Sequence, residues 1–133
     1  MKIIDVEGIG PTFAAKLQKA GVQTTDDLLK KGGKPKGRQE LEKATGISAA
    51  KILEWVNHVD LYRIEGIGAE YSDLLEEAGV DTVVELAQRV PANLAAKLAE
   101  INAKKKLVRR VPGEATVAEW VKQAKKLPRL VEY

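Results

Sequence analysis

The chain has 133 residues, of which 44% are hydrophobic, and its formal net charge at pH 7 is +3. This length fits one compact domain or two small ones. The absence of cysteine excludes disulfides, thiolate metal sites and cysteine nucleophiles. No apolar run reaches the roughly 18 residues of a membrane span, and the first residues lack a signal-peptide core, so we expect a cytoplasmic protein.

The sign of the charge changes along the chain. Residues 1–58 carry 10 basic and 7 acidic side chains, residues 59–100 carry 3 and 9, and residues 101–133 carry 9 and 3. An anionic partner should therefore avoid the middle of the chain, whereas a basic protein could bind the acidic segment at residues 65–85.

The first element in chain order is a Gly8-Ile9-Gly10-Pro11 turn. Glycine permits positive φ and a close approach of the backbone. Pro11 suits the first position of a helix and Gly21 its stop, which predicts a helix of about ten residues. The amides after Gly10 would then lie unpaired at the positive end of the helix dipole, where anions bind readily.

Further helices follow from capping patterns and breakers. Thr24-x-x-Asp27 is a weak capping-box pattern, and residues 31–37 predict a loop rich in Gly, Lys and Pro. Ser48 can cap a helix that continues through Asn57. No stretch alternates as a half-buried strand should, so the sequence predicts an all-α fold of about eight short helices.

The hairpin pattern returns 58 positions later as Gly66-Ile67-Gly68, followed by a predicted helix over residues 69–78. Thr82-x-x-Glu85 and Thr116-x-x-Glu119 are capping-box patterns. Glu54-Trp55-Val56 recurs at residues 119–121, an offset of 65, which indicates an insertion of seven residues near 104–113.

This repeat predicts two units, residues 1–58 and 59–133, the second with an inserted basic loop near 104–113. We expect the two units to pack as one compact body with pseudo-two-fold symmetry. The two tryptophans, Trp55 and Trp120, would take equivalent positions in the core.

Both hairpins resemble helix-hairpin-helix motifs. The resemblance is carried by Ile3-x-x-Val6-x-Gly8-Ile9-Gly10 and Leu61-x-x-Ile64-x-Gly66-Ile67-Gly68, each followed by a helix that ends in Ala-Gly-Val. The duplicated unit resembles the SAM-like paired-hairpin domains at the N-terminus of recombinases and in DNA-repair scaffolds. The C-terminal stretch is similar to an uncharacterised bacterial family described only as a domain of unknown function.

The resemblance implies a phosphate site on backbone amides of the first hairpin, with nearby lysines contacting further phosphates of DNA. The predicted DNA-binding residues are Gly8, Ile9, Gly10, Phe13, Lys16, Lys19, Lys34, Lys36 and Arg38. The family pattern also implies an optional monovalent cation on the carbonyls of Ile4, Val6 and Ile9. We expect no organic cofactor.

The second hairpin, Gly66, Ile67 and Gly68, is predicted to be structural because acidic residues follow it. A basic face could add to an anion-binding surface. Its predicted members are Lys104, Lys105, Lys106, Arg109, Arg110, Lys122, Lys125 and Lys126.

Enzymatic interpretations are disfavoured because His58 is the only histidine and Ser48 and Ser72 are the only serines. The main hypothesis is a non-enzymatic, largely sequence-independent DNA-binding module, an accessory in repair or recombination. The alternative is a protein-interaction scaffold that keeps the hairpin fold without binding nucleic acid.

Overall fold

The computed structural model describes residues 1–6 and 8–133, and it confirms the all-α fold. In this part of the chain a 3-10 turn and eight helices form, and no strand. The turn covers Ile3–Asp5, and the helices are α1 (Pro11–Lys19), α2 (Thr25–Gly32), α3 (Pro35–Thr45), α4 (Ala49–Leu61), α5 (Ala69–Glu77), α6 (Val83–Ala87), α7 (Pro91–Lys105) and α8 (Glu114–Lys125). None of the helices in the described ranges combines the length and apolar character needed to cross a membrane.

The chain divides by its contacts into two units. The first contains Met1–Asp60 with Leu130–Tyr133, and the second contains Leu61–Arg129. The repeat pattern grouped the last four residues with the second unit. They belong to the first because the Glu132 amide donates to the Gly33 carbonyl at 2.7 Å, and the Arg38 guanidinium donates to the Glu132 carbonyl at 2.7 Å.

In the first unit, α3 packs against α1 and α2, and the start of the chain is bound to the loop between α1 and α2. The Ile3 amide donates to the Gln23 carbonyl at 3.0 Å, and the Thr25 amide donates to the Met1 carbonyl at 2.9 Å. Buried apolar side chains hold the helices together. They include Ile3, Leu17, Leu28, Leu41, Ile52 and Trp55.

The start of α2 is a complete capping box. The Thr24 hydroxyl accepts from the Asp27 amide at 3.2 Å, and the Asp27 carboxylate accepts from the amides of Gln23 at 3.1 Å and Thr24 at 3.2 Å. These backbone donors lower the pKa of the Asp27 carboxyl below its ordinary value, because they stabilise the ionised form. The weak sequence pattern therefore gives full capping geometry.

Residues 31–37, predicted as a loop, are mostly helical. α2 continues to Gly32 and α3 begins at Pro35, so only Gly33 and Lys34 connect them. The short connection depends on glycine, since a Cβ at Gly37 would overlap the Lys31 carbonyl oxygen. The prediction failed because glycine here serves close packing of two helix ends rather than a turn.

In the second unit, α8 packs against α6 and α7, and α7 packs against α5. Its core contains Leu74, Leu86, Leu98, Val117 and Trp120, among others. The predicted cap at Thr82 is present, with its hydroxyl accepting from the Glu85 amide at 3.4 Å. The predicted cap at Thr116 is wrong: α8 begins at Glu114, and the Gly113 carbonyl accepts from the Val117 amide at 3.0 Å, so Thr116 lies inside the helix.

The connection between α7 and α8 covers residues 106–113, within the predicted inserted loop. Lys106 ends α7 in the left-handed conformation, with φ of 51°. The Asn102 side chain then forms two hydrogen bonds with the backbone of Val108. Its Nδ2 donates to the Val108 carbonyl, and its Oδ1 accepts from the Val108 amide, both at 3.0 Å. Val108 is buried, so this part of the connection is anchored to the unit.

Candidate functional site

The first hairpin is a tight turn packed on α4. Gly8 has a φ of +87°, and the Ile9 amide donates to the Val6 carbonyl at 3.1 Å. Ile9 points inward and is buried, while Gly8 and Gly10 are exposed. The Trp55 Nε1 lies 3.5 Å from the place a Cβ would occupy on Gly8. The turn is thereby fixed against the buried indole.

An aromatic pair with a lysine above it lies beside this hairpin. The rings of Phe13 and Trp55 are tilted by 60° with centroids 5.2 Å apart. The Lys51 ammonium is 5.9 Å from each centroid, which is cation–π distance. Lys51 is not among the predicted DNA-binding residues, although it lies beside the first hairpin. Its signal was the i,i+4 spacing to Trp55, which places both side chains on one helix face.

The first turn of α1 is open towards solvent. Gly10 is its N-cap with φ of −84°, and no side-chain cap hydrogen bond is formed there in the described residues. The first turn of a helix has amides without intrahelical partners. Here Thr12 and Phe13 supply them, because Pro11 has no N–H and the Ala14 amide already donates to the Gly10 carbonyl. Anion binding at this turn stays a prediction.

The predicted lysines separate into two groups. Lys16 and Lys19 lie exposed in the last turn of α1, and Lys34 and Lys36 lie exposed around the start of α3. With a rise of about 1.5 Å per residue, Lys16 lies about 6 Å along the helix from Thr12. The α1 lysines would therefore meet phosphates beyond one held on the hairpin amides.

Arg38 has an internal role. It is buried, and its guanidinium donates to the carbonyls of Gly32 at 2.9 Å, Gly33 at 3.0 Å and Glu132 at 2.7 Å. Burial lowers the pKa of this guanidinium from its ordinary value. We therefore remove Arg38 from the predicted DNA contacts, because its donors are committed to the backbone.

The second hairpin repeats the geometry with different neighbours. Gly66 has a φ of +99°, and Trp120 Nε1 lies 3.1 Å from the position of a Cβ on it. Tyr71 and Trp120 have centroids 5.2 Å apart at a tilt of 56°. The Tyr71 hydroxyl donates to the Arg110 carbonyl at 3.0 Å, so the loop at residues 106–113 is bound beside this hairpin.

Acidic side chains follow the second hairpin along α5. Glu70, Glu76 and Glu77 are exposed on α5. Glu77 pairs with Lys105 at 2.6 Å and Glu100 pairs with Lys104 at 3.9 Å, so two lysines of the predicted basic face have acidic partners. The other members of that face are exposed, and all of them lie in the second unit.

The predicted cation site consists of backbone carbonyls at and before the first hairpin. The carbonyl of Val6, one of the three proposed cation ligands, accepts from the Ile9 amide, and the cation site on Ile4, Val6 and Ile9 stays a prediction. The helix predicted to continue through Asn57 extends to Leu61, so His58 lies within α4, where it is buried.

Comparison with known proteins concerns the chain as a whole. The family model described as a domain of unknown function, DUF4332, matches residues 7–127. Neither a curated protein nor a solved structure matches the chain. The resemblance to helix-hairpin-helix proteins stays a prediction. Since the matched residues make up most of the 133-residue chain, the protein belongs to the DUF4332 family.

Proposed function

We propose that the chain is a tandem pair of helix-hairpin-helix units and that the first unit binds the phosphate backbone of DNA without sequence preference. The observation that carries this proposal is the open first turn of α1 behind a hairpin fixed on Trp55. In this role the amides of Thr12 and Phe13 hold one phosphate, and the α1 lysines neutralise its neighbours. Backbone contacts of this kind position a protein but do not read sequence.

The contrast between the two hairpins supports assigning DNA to the first. The first has Lys51 over its aromatic pair and Lys16 and Lys19 on the following helix. The second has a tyrosine bonded to Arg110 and a following helix that exposes Glu70 and Glu76. Negative charge beside a hairpin repels phosphate, so we assign the second hairpin a structural role.

The test is fluorescence anisotropy of a labelled duplex over a salt series. Wild type should bind at low salt and weaken as salt rises, with a log–log slope that falls by about 0.9 for each phosphate contact removed. Lys16→Glu with Lys19→Glu should abolish binding. Lys43→Glu with Lys97→Glu makes the same charge change at exposed lysines outside the proposed contacts and should retain most of it.

A second experiment compares the hairpins directly. Gly8→Ala should weaken DNA binding more than Gly66→Ala does, at a temperature where both variants are folded. Equal losses of DNA affinity in the two variants would contradict the assignment of DNA binding to the first hairpin. Absence of binding by wild type even at low salt would favour the alternative, a scaffold whose acidic segment at residues 65–85 binds a basic protein.

A further inference from the structure

A cleft opens in the first unit between the end of α2 and the start of α3. Its volume is about 710 Å³, within the range of small-molecule sites in proteins. Its apolar lining includes Leu29, Leu41 and Leu130. The cleft lies at the opposite end of α1 from the first hairpin, since Ala20, which follows α1, lines it.

Four lysines line this cleft against a single glutamate. They are Lys30, Lys31, Lys34 and Lys36, all exposed, and the acidic residue is Glu40. Like charges brought together in this way repel each other unless an anion lies between them. The local excess of positive charge matches a group that carries several negative charges, such as a chain of phosphates.

Several contacts give the cleft a defined shape. The Lys31 ammonium donates to the Ala20 carbonyl at 3.3 Å. Arg38 holds the Leu130–Tyr133 segment against Gly33, and a Cβ on Gly33 would lie 2.5 Å from the Leu130 carbonyl oxygen. Leu130 therefore forms its part of the wall only because position 33 is glycine and Arg38 fixes the segment.

We propose that this cleft binds a nucleoside polyphosphate, with its phosphates among the four lysines and its base and sugar along the apolar wall. A concave site of this volume has room for a ligand of nucleotide size, whereas a duplex would touch only the rim. The proposed nucleotide site uses neither hairpin, although Lys16 and Lys19 of the proposed DNA site lie in the last turn of α1, just before Ala20 of the cleft.

The test is a titration followed by amide NMR shifts at constant ionic strength without divalent cations. The probes are ATP, inorganic triphosphate and adenosine. ATP should shift amides of residues 29–41 and 130, and inorganic triphosphate should bind at least fivefold more weakly because it lacks the apolar part. Lys30→Gln with Lys36→Gln should weaken ATP binding at least tenfold, whereas Lys43→Gln with Lys97→Gln should change it less than twofold.

Three results would overturn the proposal. One is equal ATP affinity in wild type and the cleft variant, and another is a set of shifts confined to residues outside the cleft. The third is inorganic triphosphate binding as tightly as ATP, which would reveal general attraction of anions to lysines. The Gly8→Ala variant, in which DNA binding should be weakened at the hairpin, should still bind ATP as wild type does, which separates the two proposals.

Discussion

The Trp55 indole nitrogen lies against Gly8, 3.5 Å from the point where a Cβ would stand, and Trp120 lies at 3.1 Å from the same point on Gly66. In both units a glycine with positive φ therefore contacts the edge of a buried tryptophan. The positive φ favours glycine at both positions, and at Gly66 a Cβ would in addition lie close to Trp120. The tryptophan follows the glycine by 47 residues in the first unit and by 54 in the second, so the contact recurs although the spacing differs by the seven inserted residues.

Replacing these glycines should destabilise the protein. Gly8→Ala should cost about 1–2 kcal/mol, because an L-residue is strained at this φ. Gly66→Ala should cost more, because the Cβ would also meet Trp120. The measurement is urea unfolding followed by tryptophan fluorescence. Gly10→Ala is the control: its φ is −84° and nothing lies within 4 Å of its Cβ position, so it should cost less than Gly8→Ala, only the preference of an N-cap for glycine over alanine.

Arg38→Lys should destabilise the first unit, although it keeps the charge. A lysine cannot reproduce a planar guanidinium that bonds three carbonyls, and bonds from charged donors contribute about 1.5–3 kcal/mol each. We expect a loss of about 2 kcal/mol or more and faster hydrogen exchange at residues 131–133. Arg89→Lys should have a small effect, because Arg89 is partly exposed and bonds only the Gly79 carbonyl among the contacts described. Equal effects of the two changes would contradict this role.

The Asp27 cap should make stability depend on pH. Its pKa is lowered in the folded state, so its contribution is complete above the unfolded value near 3.8 and disappears as the pH falls through the folded value. Asp27→Asn should lower the urea midpoint at pH 7 and match wild type more closely at pH 2.5. Asp26→Asn, at an exposed neighbour in the same turn, should show a much smaller pH-dependent difference. A constant difference between Asp27→Asn and wild type at all pH values would oppose the assignment.

Asn102→Ala should release the connection between α7 and α8. It removes two hydrogen bonds to Val108, each contributing about 1 kcal/mol, so we expect a loss of about 1–2 kcal/mol. Hydrogen exchange should increase at residues 106–111. Asn93 is exposed on the same helix, so Asn93→Ala makes the same change in helix propensity as Asn102→Ala. It should be neutral or slightly stabilising. Unchanged exchange in the connection would show that other contacts hold it.

Helix starts could be predicted from the sequence where a residue type strongly favours one helix position, as proline does at the first helical residue and serine or threonine at the N-cap. Pro11 began α1, Ser48 capped α4 through the Lys51 amide, and Thr24 capped α2. These features depend on a few neighbouring residues, and their hydrogen bonds form within one turn. The burial of both tryptophans was also predictable, since matched positions in a repeat favour matched surroundings.

The features that could not be predicted depend on contacts between residues that are far apart in the chain or that lie on different helices. Arg38 belongs to a run of basic residues, but its guanidinium donates to the nearby carbonyls of Gly32 and Gly33 and to that of Glu132, 94 positions away, which makes it an internal donor. The glycines in residues 31–37 predict a loop because glycine permits a turn. In the structure the same glycines instead allow the ends of two helices to pack closely. The sequence by itself determined the helices and the repeated hairpins, through local sterics and capping. Tertiary structure alone decided which cations remain available to a ligand and where the cleft lies, because burial and pairing depend on residues far apart in the chain.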